Sequence, residues 1–378
     1  MKTKLFKNLL LAATAFSLYA CCTEPVMILP SRNINKFVAE KDSVNTSAGE
    51  VAPYQHISAR DCNDARFKEQ MPNAYSANTN NGVMPSSSFF KNLFGEAYAK
   101  DHKVILDYLT KNLESVCWIT NTSGVVSFSH APDEKYIEML DLPLKGSVGG
   151  TDIFYFENVK GEYVFTAMPE QINSPFWDSH PWVGQDSACN LVMVWASDAQ
   201  NPYSITVDEK NQQVKRGNSD IYYAFRIAGK WIGPKRIEGE KGVNTNYNEV
   251  SPYIACLNIA PKLLFSSNRD GDYDIYANDL TVDFKTMTIT AVGSPELLPK
   301  GSELDLKNTY INTKSDEMFP YVALPFPQAG SKMLYISSNR NATPVAANVA
   351  GDTLVVSKGG YDLYSFEYAF DCVLPPPP

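Results

Sequence analysis

One stretch of this sequence is written twice. Leu263-Leu264-Phe265-Ser266-Ser267-Asn268-Arg269-Asp270-Gly271-Asp272-Tyr273-Asp274-Ile275-Tyr276 returns as Met333-Leu334-Tyr335-Ile336-Ser337-Ser338-Asn339-Arg340 and, after an insertion, Gly359-Gly360-Tyr361-Asp362-Leu363-Tyr364. An apolar run into Ser-Ser, a reversal through Asn-Arg-Asp-Gly and a second run from Asp-Ile-Tyr predict a β-hairpin. Asn and Gly supply the positive backbone angles of a tight reversal, and Asp and Ser side chains hold turn backbone groups. Asp274 and Asp362 are thereby placed to pin the return strand.

Fainter copies extend the pattern. Return strands are expected at Ser219-Asp220-Ile221-Tyr222 and at Gly149-Gly150-Thr151-Asp152-Ile153-Phe154, with incoming partners at Val192 to Asp198 and Val125 to His130. Upstream of each hairpin a second element recurs: Asn244-Thr245 through Glu249 to Pro252-Tyr253, Asn312-Thr313 through Glu317 to Pro320-Tyr321, and more loosely Asp178-Ser179-His180-Pro181-Trp182. Pro181, Pro252 and Pro320 stand 71 and 68 residues apart, and Pro53, in a partial copy from Asn45 to Tyr54, precedes Pro181 by 128, close to two periods. Short Val, Ile, Phe and Tyr segments divided by turn residues, in more strands than one open sheet holds, predict a repeated all-β architecture.

The text SSNRDGDYDIY, its partner SSNR with GGYDLY, and the Pro-Tyr strand before each resemble the WD-like repeats of TolB-type β-propellers, a family with many envelope lipoproteins. The resemblance is strong over about residues 244–366, weak over 117–243 and absent from 55 to 116. It implies an all-β ring of four-stranded blades around a channel, five being favoured over four or six. Asn268, Arg269, Asp274, Asn339, Arg340, Asp362, Asp220 and Asp152 are then structural residues of the repeat. One helical pattern interrupts it, in an insertion over about 88–116: from Asp101 as N-cap, Val104, Ile105, Tyr108, Leu109 and Leu113 share a face.

The N-terminus has Lys2, Lys4 and Lys7 ahead of a short apolar run ending in Leu18-Tyr19-Ala20-Cys21. That run is a signal peptide and too short for a membrane span, and its end resembles a lipobox. The resemblance implies lipidation of Cys21, loss of residues 1–20, a tether over 21–50, a propeller over 51–372 and a protein held at the outer membrane, facing the periplasm. Removing three lysines and no acid moves the formal charge from −9 to −12, which gives no electrostatic case for nucleic acid. The proline run at 373–378 reads as a stiff spacer, and in relatives such blades often precede an OmpA-like peptidoglycan-binding domain.

No chemical motif stands out. His56, His102, His130 and His180 form no HExxH pair, and there is no G-x-S-x-G elbow, Walker loop or dinucleotide fingerprint. Asp270, Asp272 and Asp274 alternate as a calcium loop does, but the glycine is misplaced and the sister hairpin keeps one of the three, so turn chemistry is favoured and no metal or other cofactor is expected. Cys117 and Cys256 read as small buried hydrophobes, with no disulfide pairing assigned. The aromatic cluster Phe176, Trp177, His180, Trp182 reads as packing before sugar stacking, and the 341–357 insertion either as a recognition loop or as an added strand pair. The expectation is therefore a non-enzymatic scaffold for envelope proteins, in a Tol-like or outer-membrane assembly and peptidoglycan-linked. The alternative is a carbohydrate-binding or glycosidase-like propeller, which requires non-repeated carboxylates at the channel.

Overall fold

In a computed structural model of the chain, the residues described are 49–55, 73–78, 83–84, 96–101, 103–120, 123–128, 144–148, 150–160, 162–186, 188–199, 218–238, 242–258, 260–301, 310–323, 333–340 and 361–367. Their strands fall in sequence order into five antiparallel sheets. Blade I holds β1 (Gly49–Gln55), β2 (Asn73–Asn78) and β3 (Val83–Met84). Helices α1 (Glu96–Asp101) and α2 (Lys103–Asn112) lead into blade II, with β4 (Leu113–Thr120), β5 (Ser123–Phe128), β6 (Asp152–Val159) and β7 (Glu162–Ala167). Blade III is β8 (Asp178–Gln185), β9 (Leu191–Ser197), β10 (Asp220–Ile227) and β11 (Lys230–Arg236). Blade IV is β12 (Glu249–Ala255), β13 (Lys262–Ser267), β14 (Asp274–Asp283) and β15 (Thr288–Leu297), and blade V is β16 (Glu317–Ala323), β17 (Met333–Ser338) and β18 (Asp362–Glu367).

The first strands close a cycle: β1 touches β4, β4 touches β8, β8 touches β12, β12 touches β16, and β16 touches β1. The protein is a five-bladed β-propeller whose innermost strands line the axis. The hairpins have the expected registers, with Ser267 opposite Asp274, Ser338 opposite Asp362, Ser197 opposite Asp220 and Phe128 opposite Asp152. Blades I and V show three strands each among the described residues.

Second strands are buried on both faces, as β5 and β9 are throughout, because each is sandwiched between neighbouring blades. Fourth strands such as β11 lie at the rim and are largely exposed. Apolar clusters fill the interfaces: Val125 and Ile153 against Met193 and Trp195 between blades II and III, Val194 and Phe225 against Leu263 and Phe265 between III and IV, and Leu264 and Ile275 against Leu334 and Ile336 between IV and V. Helix α2 packs Leu106 and Leu109 onto Phe128, Phe154 and Phe156 of blade II. Asp101, expected as an N-cap, is the last residue of α1, and Val104, expected on the buried face, is 69% exposed while Leu106 is buried. The buried line is Leu106, Leu109, Leu113, at spacings of three and four.

An asparagine before each of three blades locks it to the blade behind. Asn173 accepts from the Ile153 amide and donates to its carbonyl. Asn244 does the same at Ile221 and Asn312 at Ile275. One side-chain amide thus satisfies a backbone N–H, which left unpaired costs about 1–3 kcal/mol, and adds a second bond to a carbonyl that also accepts a backbone amide.

Candidate functional site

Every innermost strand opens on an acid preceded four residues earlier by Ser or Thr: Thr46 and Glu50, Thr110 and Glu114, Ser174 and Asp178, Thr245 and Glu249, Thr313 and Glu317. In blades IV and V the acid is consumed internally. Glu249 accepts from the Thr245 amide and hydroxyl, from Ser267 Oγ and from Arg269 Nη2 at 3.1 Å. Glu317 accepts from Thr313, Ser338 and Arg340 in the same way. Arg269 also donates to the Val243 carbonyl and lies over the rings of Phe265 and Tyr276, and Arg340 donates to Ile311 and lies over Tyr364. Asn268 and Asn339 accept from the amides of Asn248 and Asp316 and so hold the start of the first strand.

The repeated aspartates are also engaged. Asp152 accepts from Ser147 Oγ and the Val148 amide, Asp220 pairs with Arg236 at 3.0 Å, and Lys300 donates to Asp274 at 2.6 Å and to Asp272 at 3.1 Å. The Lys300 ammonium thus sits among the very carboxylates that resemble a calcium loop. Among the described residues no group of three or more His, Cys, Asp or Glu is placed to hold a metal ion. Asp362 is described only by its backbone pairing with Ser338.

Blade III departs from this scheme. Ala199 stands where Arg269 and Arg340 stand, and Trp195 replaces Phe265. The Trp195 indole N–H donates to Asp178 at 3.3 Å, and Ser174 supplies an amide and a hydroxyl, each at 2.6 Å. Every donor is neutral, and burial pushes the Asp178 carboxyl up to about 6.

Blade II departs further. The register of β4 slips between Leu113 and Ser115, putting Glu114 at a bulge, a device that re-aims a side chain. Its carboxylate reaches into blade III, accepting from Trp177 Nε1 at 3.1 Å, from Ser179 Oγ and, more weakly, from Thr151 Oγ1 at 3.4 Å. Behind Ser179 runs a buried hydroxyl chain, Ser127 at 2.9 Å and Ser115 at 2.7 Å, which can orient every proton toward Glu114. Gly150 makes the approach possible: at φ +64 its backbone runs against Phe176, where a Cβ would come 1.9 Å from the Phe176 carbonyl oxygen. The Thr151 amide then donates to the Phe176 carbonyl and its carbonyl accepts from the Asp178 amide, while the Trp177 amide donates to Asp198 at 2.7 Å. Glu114 and Trp177 both remain partly exposed.

The floor of this site comes from three blades. The innermost strands of blades III, IV and V each slip register after their second residue, at His180, Ser251 and Phe319, with φ of 53°, 52° and 53°. The side chains meet across the axis. His180 Nδ1 lies 3.2 Å from Ser251 Oγ, and its ring packs edge-on against Phe319 at 4.6 Å and Trp177 at 5.0 Å. Blades III and V are not neighbours in the ring, so the contact of His180 with Phe319 spans the channel.

No family model matches this sequence, nor does any curated protein. Solved structures do match, all at low identity. A thermostable family-43 glycoside hydrolase aligns at 11% identity and TM-score 0.48, over 88% of this chain and 94% of its own. A GH43_12 protein retrieved from capybara gut metagenome aligns at 10% and 0.42, over 89% and 55%, and the Bombyx mori family-32 β-fructofuranosidase at 11% and 0.37, over 76% and 55%.

These findings correct the expectation of a non-enzymatic interaction scaffold. The matching structures are glycoside hydrolases. The feature that expectation took to be missing, a carboxylate at the axial end that is not consumed by its own blade, is present as Glu114, whose sequence position repeats but whose bonding across to Trp177 and Ser179 does not. The Asp-Ile-Tyr aspartates, which dominate the sequence pattern, serve the hairpins instead. The Ser/Thr-to-acid spacing of four, present in all five blades, aligns Glu114 with Asp178, Glu249 and Glu317 and sets it and Asp178 apart as acids without a hairpin arginine. The aromatic cluster at 176–182 divides: Trp182 packs on Tyr253, whereas Trp177 and His180 face the site. Cys256 is disulfide-bonded, as is Cys189, contrary to its reading as a buried thiol. The Cys117 sulfur accepts from the Val183 amide at 3.3 Å, and burial pushes its thiol up to about 11. Cys21, the 341–357 insertion and the proline run lie outside the described residues.

Proposed function

We propose that this propeller is a carbohydrate-active protein that holds a glycan at the axial end between blades II and III and cleaves a glycosidic bond there. The observation that carries the reading is Glu114. It is a partly exposed carboxylate turned out of its own blade by a bulge, beside the partly exposed indole of Trp177. An aromatic face packs against a sugar ring, and the hydroxyl and indole donors fix the direction of the carboxylate. Glycosidic cleavage uses two carboxylates roughly 5 to 10 Å apart. Asp178 is committed to Ser174 and Trp195, so among the described side chains Glu114 is the carboxylate assigned to the chemistry.

The test is release of reducing sugar from a panel of xylotriose, arabinotriose, cellotriose and 1-kestose. Glu114→Gln is expected to lower release by about 10²- to 10⁴-fold, the range of a positioned acid or base, while sugar binding survives. A panel that yields neither binding nor release, or a Glu114→Gln variant as active as the parent, refutes the proposal.

A further inference from the structure

The repeat itself separates structural residues from chosen ones at the axis. In blades III, IV and V the acid two positions before the bulge, the proline one after it and the aromatic two after it are all kept, as Asp178, Pro181 and Trp182, Glu249, Pro252 and Tyr253, and Glu317, Pro320 and Tyr321. The bulge residue alone changes in kind: His180, Ser251, Phe319. A left-handed backbone angle is unfavourable for each of these side chains by about 1–2 kcal/mol, yet all three blades adopt it. What the backbone gains is a side chain aimed at the axis, and what varies is its chemistry.

We propose that His180 is the specificity-determining residue of the glycan site, its Nε2 forming a hydrogen bond to a sugar hydroxyl at the floor beneath Trp177 and Glu114. This rests on the carbohydrate reading above and adds to it the group that reads the sugar. Phe319 shows that the equivalent bulge of blade V carries a phenyl ring with the same backbone angle, so the backbone conformation does not require the imidazole nitrogens. Nδ1 is occupied by Ser251 Oγ at 3.2 Å, which fixes the ring, while Nε2 makes no hydrogen bond among the described residues. The ring is clamped between Trp177 and Phe319 at 5.0 and 4.6 Å, so Nε2 has a fixed direction. Burial keeps the imidazole neutral, and a neutral ring with one bonded nitrogen presents a single defined donor or acceptor, which selects among hydroxyl stereochemistries where a mobile charge would not.

The experiment uses the full chain carrying Glu114→Gln, which holds the sugar uncut, and the same four trisaccharides, with affinities from calorimetry. His180→Phe, whose backbone angle is precedented at Phe319, is expected to weaken the best-bound sugar at least tenfold and to flatten the preference among the four. His180→Asn keeps a hydrogen-bonding group and tolerates the left-handed angle, and it is expected to restore binding with an altered order of preference. In ¹⁵N spectra of the His180 ring, sugar is expected to shift Nε2 and leave Nδ1 nearly still, a response that packing alone does not produce. Sugars that bind the His180→Phe chain as tightly and in the same order overturn this inference and leave the carbohydrate reading standing. A chain that binds none of the four overturns both.

Discussion

Blades IV and V and blade III each bury a carboxylate at the start of the innermost strand, and they hold it by different chemistry. In IV and V the Asn-Arg turn sends a guanidinium back under the hairpin, where it bonds the acid and a backbone carbonyl and lies on an aromatic ring. In III the arginine is Ala199, and the donors are the indole of Trp195 and the hydroxyl and amide of Ser174. The first arrangement is electrically closed. The second leaves Asp178 without a cation, and it is the blade beside which Glu114, Trp177 and His180 gather. Self-sufficient blades make the scaffold rigid, and the blade that gives up its arginine shares the site with its neighbour.

The hardest way to strike at this contrast is to take an arginine away. Arg340 is 7% exposed and Glu317 not at all. Arg340→Met removes the cation from a buried carboxylate, and such a loss costs about 3–5 kcal/mol. Urea denaturation of the variant is expected to show a loss of that size. A loss below about 1 kcal/mol, the worth of an exposed pair, would mean that blade V does not depend on its arginine and that the contrast is one of composition alone.

A milder change converts one blade type into the other. Trp195→Phe deletes the indole donor to Asp178 and shrinks a buried side chain, with an expected loss of about 1–3 kcal/mol. Ala199→Arg alone has no room, because the indole fills the place of the guanidinium. Together the two substitutions rebuild the Phe265 and Arg269 pairing of blade IV in blade III, so the double variant is expected to be more stable than Trp195→Phe alone. The coupling energy from the four-variant cycle tests it. Additive losses would show that blade III cannot take the arginine, and that its neutral clamp is fixed by the neighbouring site.

The legible part of this molecule was the part written in local chemistry. The Asn-Arg turns, the Asp-Ile-Tyr return strands and the Pro-aromatic strands each state a backbone requirement within a few residues, and from them the hairpins, their pairings and five blades follow. Helix α2 was found, but its buried face was misread at Val104, because its partners are Phe128, Phe154 and Phe156 on another element. The site was not legible for the same reason. Glu114 lies at a junction of helix and strand with no Asn-Arg text near it, and only the bulge in β4 and the closeness of blade III give its direction. His180 looked like one member of an aromatic run until the contact with Phe319, two blades away, showed which way it points.

The finest discrimination between the two kinds of blade is by pH, where Asp178 and His180 pull in opposite directions. Burial raises the Asp178 carboxyl from 3.8 to about 6, with the Ser174, Ser197 and Trp195 donors opposing it. The folded chain therefore binds that proton more tightly than the unfolded chain. The stability it contributes is full below pH 3.8 and is lost as the pH rises through 6. Burial lowers His180 from 6.5 to about 3, so its contribution is full above pH 6.5 and is lost as the pH falls toward 3. Denaturation midpoints at pH 4, 5, 6 and 7 separate the two, since Asp220 and Asp274, which also rise to about 6, are common to every variant and cancel in the differences. Relative to the parent, Asp178→Asn is expected to fare better at pH 7 than at pH 4, and His180→Phe better at pH 4 than at pH 7. An Asp178→Asn difference that stays constant across the range would place a compensating charge beside Asp178 and overturn its neutral clamp.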